Sequence, residues 1–295
     1  MIQKLLFNGR LAEKNVKRRD FLKILALSAL GSGAAFETLA NKALAYTASK
    51  SAPFDDHIRD YLYKMKYFDS PHRDDIRIDR TGYYTFKSMV KRLNRLEEIV
   101  GHGRFHILSF DEGIKLAKDF AFIGEFSREE LNLMEDLFYR DATQYGFLGE
   151  KTLTGITDRI NKGDVIYIPE QGNYLYKDRS FEMYNKIRQQ TGENVTLTSG
   201  VRGVMKQFLL FLNKTYKNQG NLSLASRSLA PPGYSFHGNG DFDVGQAGFG
   251  ALNFTEKFTT TDAYKNLCDL GYLTLRYELD NSVGVRFEPW HIRIT

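Results

Sequence analysis

The chain reads as an α+β protein, a small antiparallel sheet with flanking helices preceded by a mainly helical N-terminal region. Three observations predict this. Residues 52–160 carry apolar residues at helical spacing together with helix-capping signals. From Asp164 onward, short β-branched and aromatic runs are mixed with helical ones. The helices and strands there do not alternate in the regular βαβ rhythm of a parallel sheet.

Taken in order, a short helix is expected around Asp56–Tyr67, followed by an irregular connection to Arg80. Tyr83–Val100 places Phe86, Met89, Val90, Leu93, Leu96 and Val100 on one stripe with Lys and Arg opposite, which predicts an amphipathic helix. Arg104–Phe110 alternates as a short strand or an extended linker would. Asp111 is expected to cap a helix running to Ala121, and Ser127-Arg128-Glu129-Glu130 is a capping box opening another through Arg140. Val165–Ile168 reads as a strand, Ser180–Thr191 as a helix ended by Gly192, and Val195–Thr198 as a strand leading into Arg202. Gly203–Lys217 and Thr260–Leu270 are expected as helices, and Leu273–Tyr277 and Val283–Phe287 as strands.

At 295 residues the chain suffices for one large or two small domains, and three segments are expected: 1–45, 46–160 and 161–295. The first resembles a twin-arginine export signal in Lys17-Arg18-Arg19-Asp20-Phe21-Leu22-Lys23, followed by the apolar stretch Ile24–Phe36 and an A-x-A cleavage site at Ala43-Leu44-Ala45. That stretch is shorter than the ~20 residues of a membrane span. Export by the twin-arginine machinery to the periplasm, with no stable membrane span after cleavage, is the expectation, and an uncleaved anchor is the alternative. Residues 1–45 hold eight Lys/Arg against three acids, a net of +5 that equals the net of the whole chain. The remainder is formally neutral, which gives no support to nucleic-acid binding. The single cysteine, Cys268, cannot form an intramolecular disulfide and is read as buried packing in the last helix.

The chemistry-bearing residues gather late in the chain. Ser235-Phe236-His237-Gly238-Asn239-Gly240-Asp241-Phe242-Asp243 is answered by Glu288-Pro289-Trp290-His291-Ile292-Arg293, and of six histidines only these two lie beyond residue 106. Two imidazoles, a carboxylate near the first and a glutamate three residues before the second are the parts of a mononuclear zinc hydrolase: three ligands, an open position for water and a general base. Glycines on both sides of Asn239 suit a tight loop bringing His237 and an aspartate toward one ion. Strand residues three apart face opposite sides, so Glu288 and His291 converge only if the chain bends, which Pro289 is placed to do.

This order of motifs resembles the VanY-type D-alanyl-D-alanine carboxypeptidases of the LAS group of zinc peptidases. The resemblance extends upstream through Thr198-Ser199-Gly200-Val201-Arg202 and Gln207, and through Leu275-Arg276-Tyr277, covering about residues 161–295. It implies zinc held by His237, Asp243 and His291, Glu288 as general base, and a substrate contact through Arg202, with Gln207 and Ser235 also on the substrate side; Tyr234, an aromatic beside the first motif, is a candidate to line the cleft. The substrate implied is a peptidoglycan stem peptide ending in D-Ala-D-Ala. One departure is that the family's aspartate would fall at Val244; a one-residue deletion makes Asp243 the natural ligand and leaves Asp241 as the alternative. Cleavage of cross-links by an endopeptidase, or a non-catalytic wall-binding module on the same fold, are the rival readings.

Other candidates carry less. His102 and His106 would share a face on a helix, but Gly101 and Gly103 argue against a helix there, and the pair is read as structural. Gly245, Gly248 and Gly250 lack the strand, lysine and helix of a phosphate loop. The insert Gly245–Phe258 is either a surface loop or a lip of the cleft, and Trp290 is a packing residue or a substrate contact.

Overall fold

A computed structural model describes residues 53–294, with side chains from Asp56 onward. The export signal expected over residues 1–45 lies outside them. The chain opens with α1 (Pro53–Lys66) and α2 (Tyr83–Val100), which buries Phe86, Met89, Val90, Leu93 and Leu96 on the expected stripe and stops at Gly101, whose φ of 83° is a conformation that side chains with a Cβ rarely adopt. A four-residue helix α3 (His102–Phe105) follows, in place of the strand or linker expected over 104–110. Gly103 is tolerated in it because its bare Cα faces the Tyr167 ring, where an added Cβ would come within 3.3 Å.

Helix α4 (Phe110–Asp119) is capped by Ser109 rather than by Asp111. Ser109 and Glu112 form a reciprocal capping box, and Asp111 lies in the first turn. Helix α5 (Arg128–Tyr139) begins with the box read from the sequence, Ser127 with Glu130. Strands β1 (Val165–Ile168) and β2 (Asn173–Tyr176) pair antiparallel as a separate hairpin. There follow α6 (Arg179–Thr191), β3 (Val195–Ser199), α7 (Val204–Lys217), α8 (Leu222–Ser226), β4 (Phe242–Gln246), α9 (Asp262–Asp269) and β5 (His291–Ile292). The second sheet has the order β3-β4-β5 with both pairings antiparallel.

The strands expected at Leu273–Tyr277 and Val283–Phe287 do not form. Leu275 makes only an isolated bridge to Ile292, and the later segment spends its backbone on scattered partners: Val283 O accepts from Leu148 N, and Arg286 N donates to Arg227 O. Conversely β4, which carries two polar residues and a glycine, is the middle strand, its shape dictated by neighbours on both sides rather than by its own propensity. Cys268 is exposed, not buried: the inward face of α9 is formed by Ala263 and Leu267, and the next residue is turned about 100° away from it.

Two large apolar cores result, beside a small cluster of Ile107, Val165 and Val201. The larger joins Phe86, Leu93 and Leu137 of the early helices to Phe208 and Leu212 of α7 and to Tyr277 and Val285, so residues on both sides of position 160 share it. The smaller lies under the three-stranded sheet, around Tyr184, Leu197, Phe242, Val244, Leu267, Trp290 and Ile292. A buried ion pair fastens the connection after α1. Arg227 donates from Nη1 to Asp75 Oδ1 at 2.7 Å and from Nη2 to Oδ2 at 3.1 Å, and it also reaches the carbonyls of Phe68 and Ser70. Asn221 Nδ2 and the His72 amide complete the partners of Asp75.

Candidate metal centre

The centre is built across the three-stranded sheet. Ser199 of β3, Asp243 of β4 and His291 of β5 lie side by side in register, with a bulge between Leu197 and Ser199. His237 arrives from a 3₁₀ turn, Phe236–Asn239, which ends at Gly240 with φ 112°. Tyr176 Oη donating to Gly238 O and Ser180 Oγ donating to Gly240 O pin that turn to β2 and α6. Its carrier loop is equally tight: a Cβ on Gly200 would stand 2.0 Å from Tyr174 O, a clash with backbone that cannot swing aside.

Hydrogen bonds settle which nitrogen of each ring faces inward. His237 donates from Nδ1 to Gly200 O at 2.8 Å, leaving the Nε2 lone pair toward Asp243 Oδ1 at 3.3 Å. His291 donates from Nε2 to Asp241 Oδ2 at 3.1 Å, leaving Nδ1 3.3 Å from Asp243 Oδ1 and 3.6 Å from Glu288 Oε2. Asp243 gives its other oxygen to Arg202, Nη2 to Oδ2 at 2.6 Å. One donor atom from each of His237, Asp243 and His291 therefore points at a common space, all within 4.8 Å of one another and all buried.

His237 Nε2 and Asp243 Oδ1 are buried and have no hydrogen-bond partner. Such atoms are costly unless something binds them. Two donors on one tetrahedral ion with bonds of ~2.0–2.2 Å stand ~3.3–3.5 Å apart, which fits the 3.3 Å spacings found. The residues thus fit a metal ion, and Glu288 stands beside the donor set. Burial and the Arg202 charge push His237 down to about 4. Burial also opposes charge on His291, but the bonds to Asp241 and Glu288 and the facing carboxylates outweigh it and raise the ring to about 9. Burial would raise Asp243, yet the charges of His237 and Arg202 hold it well below the usual carboxylate range.

Asp241, the alternative ligand, is not in the donor set. It sits behind His291, gripped by Arg276 through two bonds of 2.7 and 3.1 Å and by the Ile294 amide at 2.8 Å. An acidic partner behind a ligating imidazole fixes its tautomer and orientation. Asp241→Asn is accordingly expected to weaken metal affinity ~10–100-fold, and Asp243→Ala to weaken it more. Competition against a chromophoric chelator measures both, and the reverse order would exchange the roles of the two aspartates.

A small cavity of about 30 Å³, the scale of one water, opens beside the donors and is lined by Arg202, Ser235, His237, Tyr277, Glu288 and His291 among others. Glu288 reaches it because the chain turns at Pro289, with His291 N donating to Glu288 O at 3.1 Å. Of the residues expected on the substrate side, Arg202 and Ser235 line this cavity. Gln207 touches it too, but both ends of its amide are occupied, Nε2 by Arg202 O and Oε1 by Gly233 N, so it shapes the loop instead of offering a free contact. Tyr234 points away: its ring packs edge-on against Phe147 and its hydroxyl lies near Arg140 O. Trp290 is packed between Phe254 and Arg286 and does not line the cavity, and neither does the insert 245–258. Arg276 and Tyr277 were legible only as part of a motif. Their places, one behind Asp241 and one with its ring 4.9 Å from that of His291, come from the fold.

A buried two-histidine, one-carboxylate set with a glutamate beside it is a donor arrangement that suits a hydrolytic metal centre. Residues 176–295 match the family described as VanY, D-alanyl-D-alanine carboxypeptidase. No curated protein matches the chain. Among solved structures it is similar to a mutant of the vancomycin resistance D,D-pentapeptidase VanY from the VanB-type resistance cassette in complex with Zn(II), at 22% identity over 51% of this chain and 86% of that one, with a TM-score of 0.38. It is also similar to the LdcB LD-carboxypeptidase, at 21% identity over 46% and 69% with a TM-score of 0.37. The L,D-carboxypeptidase DacB from Streptococcus pneumonia aligns at 25% identity over 46% and 84%, with a TM-score of 0.31. The matched stretch, residues 176–295, contains His237, Asp243, Glu288 and His291.

Proposed function

We propose that the protein is a zinc-dependent D,D-carboxypeptidase that removes the terminal D-Ala from peptidoglycan stem peptides. The observation that carries this reading is the pair of unpartnered buried donors, His237 Nε2 and Asp243 Oδ1, set beside the Glu288 carboxylate. His237, Asp243 and His291 would hold the ion, which when bound supplies a Lewis acid for the scissile carbonyl and lowers the pKa of water. Glu288 accepts the proton of the attacking water at a carboxylate oxygen and returns it to the leaving amine. Arg202, already fixed by Ser199 Oγ and Asp243, lines the same cavity as a cation that offsets negative charge developing on the carbonyl oxygen. Ser235, which lines the same cavity, would hold the substrate carboxylate, and Asp241 with Arg276 keeps His291 oriented.

Purified muropeptides test the assignment by mass analysis. Loss of one D-Ala from a pentapeptide stem, with tetrapeptide stems and cross-linked dimers left intact, is the expected result. Trimming of the tetrapeptide would instead make the enzyme an L,D-carboxypeptidase, and splitting of dimers an endopeptidase. No cleavage by a zinc-loaded, folded protein would leave a wall-binding module.

A further inference from the structure

The helical region holds a second pair of histidines that the peptidase reading does not use. His102 opens α3 and His106 is its C-cap, so the i, i+4 spacing set aside in the sequence because of Gly101 and Gly103 does place both rings on one face. His102 Nδ1 lies 3.2 Å from Glu97 Oε1, and His106 Nδ1 lies 3.2 Å from Val201 O. Both partners are acceptors, so each ring donates from Nδ1 and turns an Nε2 lone pair toward the other. The two Nε2 atoms are 3.4 Å apart. Two lone pairs at that distance repel unless a cation stands between them, and the cation is either a proton or a metal.

The ring geometry favours the metal. Each imidazole nitrogen lies ~1.15 Å from its ring centre, so a straight N–H···N bond of this length would hold the centroids ~5.7 Å apart. Two imidazoles on one tetrahedral ion at ~2.05 Å would hold them ~5.2 Å apart. The observed separation is 5.0 Å with the planes at 87°. The ligand pair of the metal centre, His237 and His291, has nearly the same arrangement, 4.8 Å and 78°. Burial and the nearby charge of Lys206 push His106 down to about 3, which keeps its imidazole neutral with a lone pair on Nε2. The supports are those of a ligating imidazole, a carboxylate behind one ring and a backbone carbonyl behind the other.

We propose that His102 and His106 form a second site, which takes one divalent late transition-metal ion such as Zn²⁺, Ni²⁺ or Cu²⁺ through their two Nε2 atoms, with its remaining positions open to solvent on the side of His102. The donor chemistry excludes Ca²⁺ and Mg²⁺: both ligands are nitrogens, and the one adjacent carboxylate is engaged by His102 and by Lys206 Nζ at 2.7 Å. The site also touches the loop of the metal centre, since His106 O accepts from Gly203 N at 2.7 Å and Val201 sits next to Gly200, whose carbonyl seats His237.

The test is Cu²⁺ titration of the chelator-stripped full chain, wild type and His102→Gln, by equilibrium dialysis and electron paramagnetic resonance. His102 is an exposed side chain, and matching thermal melts check that the variant folds. The variant is expected to bind one equivalent fewer and to lose one signal with hyperfine coupling to two nitrogens. In parallel, ¹⁵N spectra of the histidines on Zn²⁺ addition should shift Nε2 of both His102 and His106. Equal stoichiometry in the two proteins, or Nε2 resonances that stay in place while the spectra show a proton shared between the rings, overturns the proposal. The comparison does not depend on the peptidase centre: if that centre failed to bind metal, both totals would fall by one and the difference would remain.

Discussion

Glu288→Gln is expected to slow hydrolysis of a stem peptide ending in D-Ala-D-Ala by ~10²–10⁴, the loss typical of removing a positioned base, while zinc content stays at the wild-type level. The carboxylate is buried at the cavity, 3.6 Å from His291 Nδ1 and 3.9 Å from Arg286 Nε. The amide nearly matches its shape but cannot accept a proton from water. Because Glu288 stands beside the three-donor set and not in it, the ion has no reason to leave. Rate and zinc content are read on the same samples. A variant that retains zinc and the full rate would take Glu288 out of the chemistry; one that loses zinc would make it a ligand.

Asp75→Ala is expected to cost about 3–5 kcal/mol at neutral pH, the range found when one partner of a buried ion pair is removed. The side chains of Arg227 and Asp75 are only 4% and 1% exposed, and deletion leaves the guanidinium charged and enclosed. The pH dependence follows from the carboxyl. Burial would raise it, but the Arg227, His72 and Asn221 bonds hold it down to about 2 against an ordinary 3.8. Its folded value is depressed, so its contribution is complete above about pH 4 and disappears as pH falls through about 2. The gap in denaturant stability between wild type and variant should therefore narrow across that interval. A cost below about 1 kcal/mol at pH 7 would show the clamp to be dispensable.

The helices were legible where periodicity and capping coincide, as in α2 with its stripe from Phe86 to Leu96 and α5 behind Ser127 and Glu130. The sheet was less so. Phe242–Gln246 has no strand signature and becomes one because β3 and β5 pair with it on both sides, whereas Leu273–Tyr277 and Val283–Phe287 look like strands and find no ladder. At the site, residue types and order pointed to His237, Asp243, His291 and Glu288. Which nitrogen faces inward, and why Asp241 stands behind His291, depend on the Gly200 carbonyl and Arg276, contacts between residues 35 or more positions apart that no local pattern encodes. The helix carrying His102 and His106 was hidden by its glycines, which tertiary packing tolerates.

The alternation Asp241-Phe242-Asp243-Val244 in and before β4 bears on folding fidelity. A slip of one residue would turn the apolar side chains out of the core and is thereby rejected. A slip of two keeps the alternation and sets Asp241 where Asp243 belongs, so donor type does not reject it, although it leaves Gly240 in the core position of Phe242. The discrimination falls to features outside the donor set: the bulge at Leu197–Ser199, the left-handed turn at Gly240, and the two-bond grip of Arg276, which in the slipped strand would close on Asn239 instead of a carboxylate. Arg276 thus favours the native register, because only there do its two bonds meet a carboxylate.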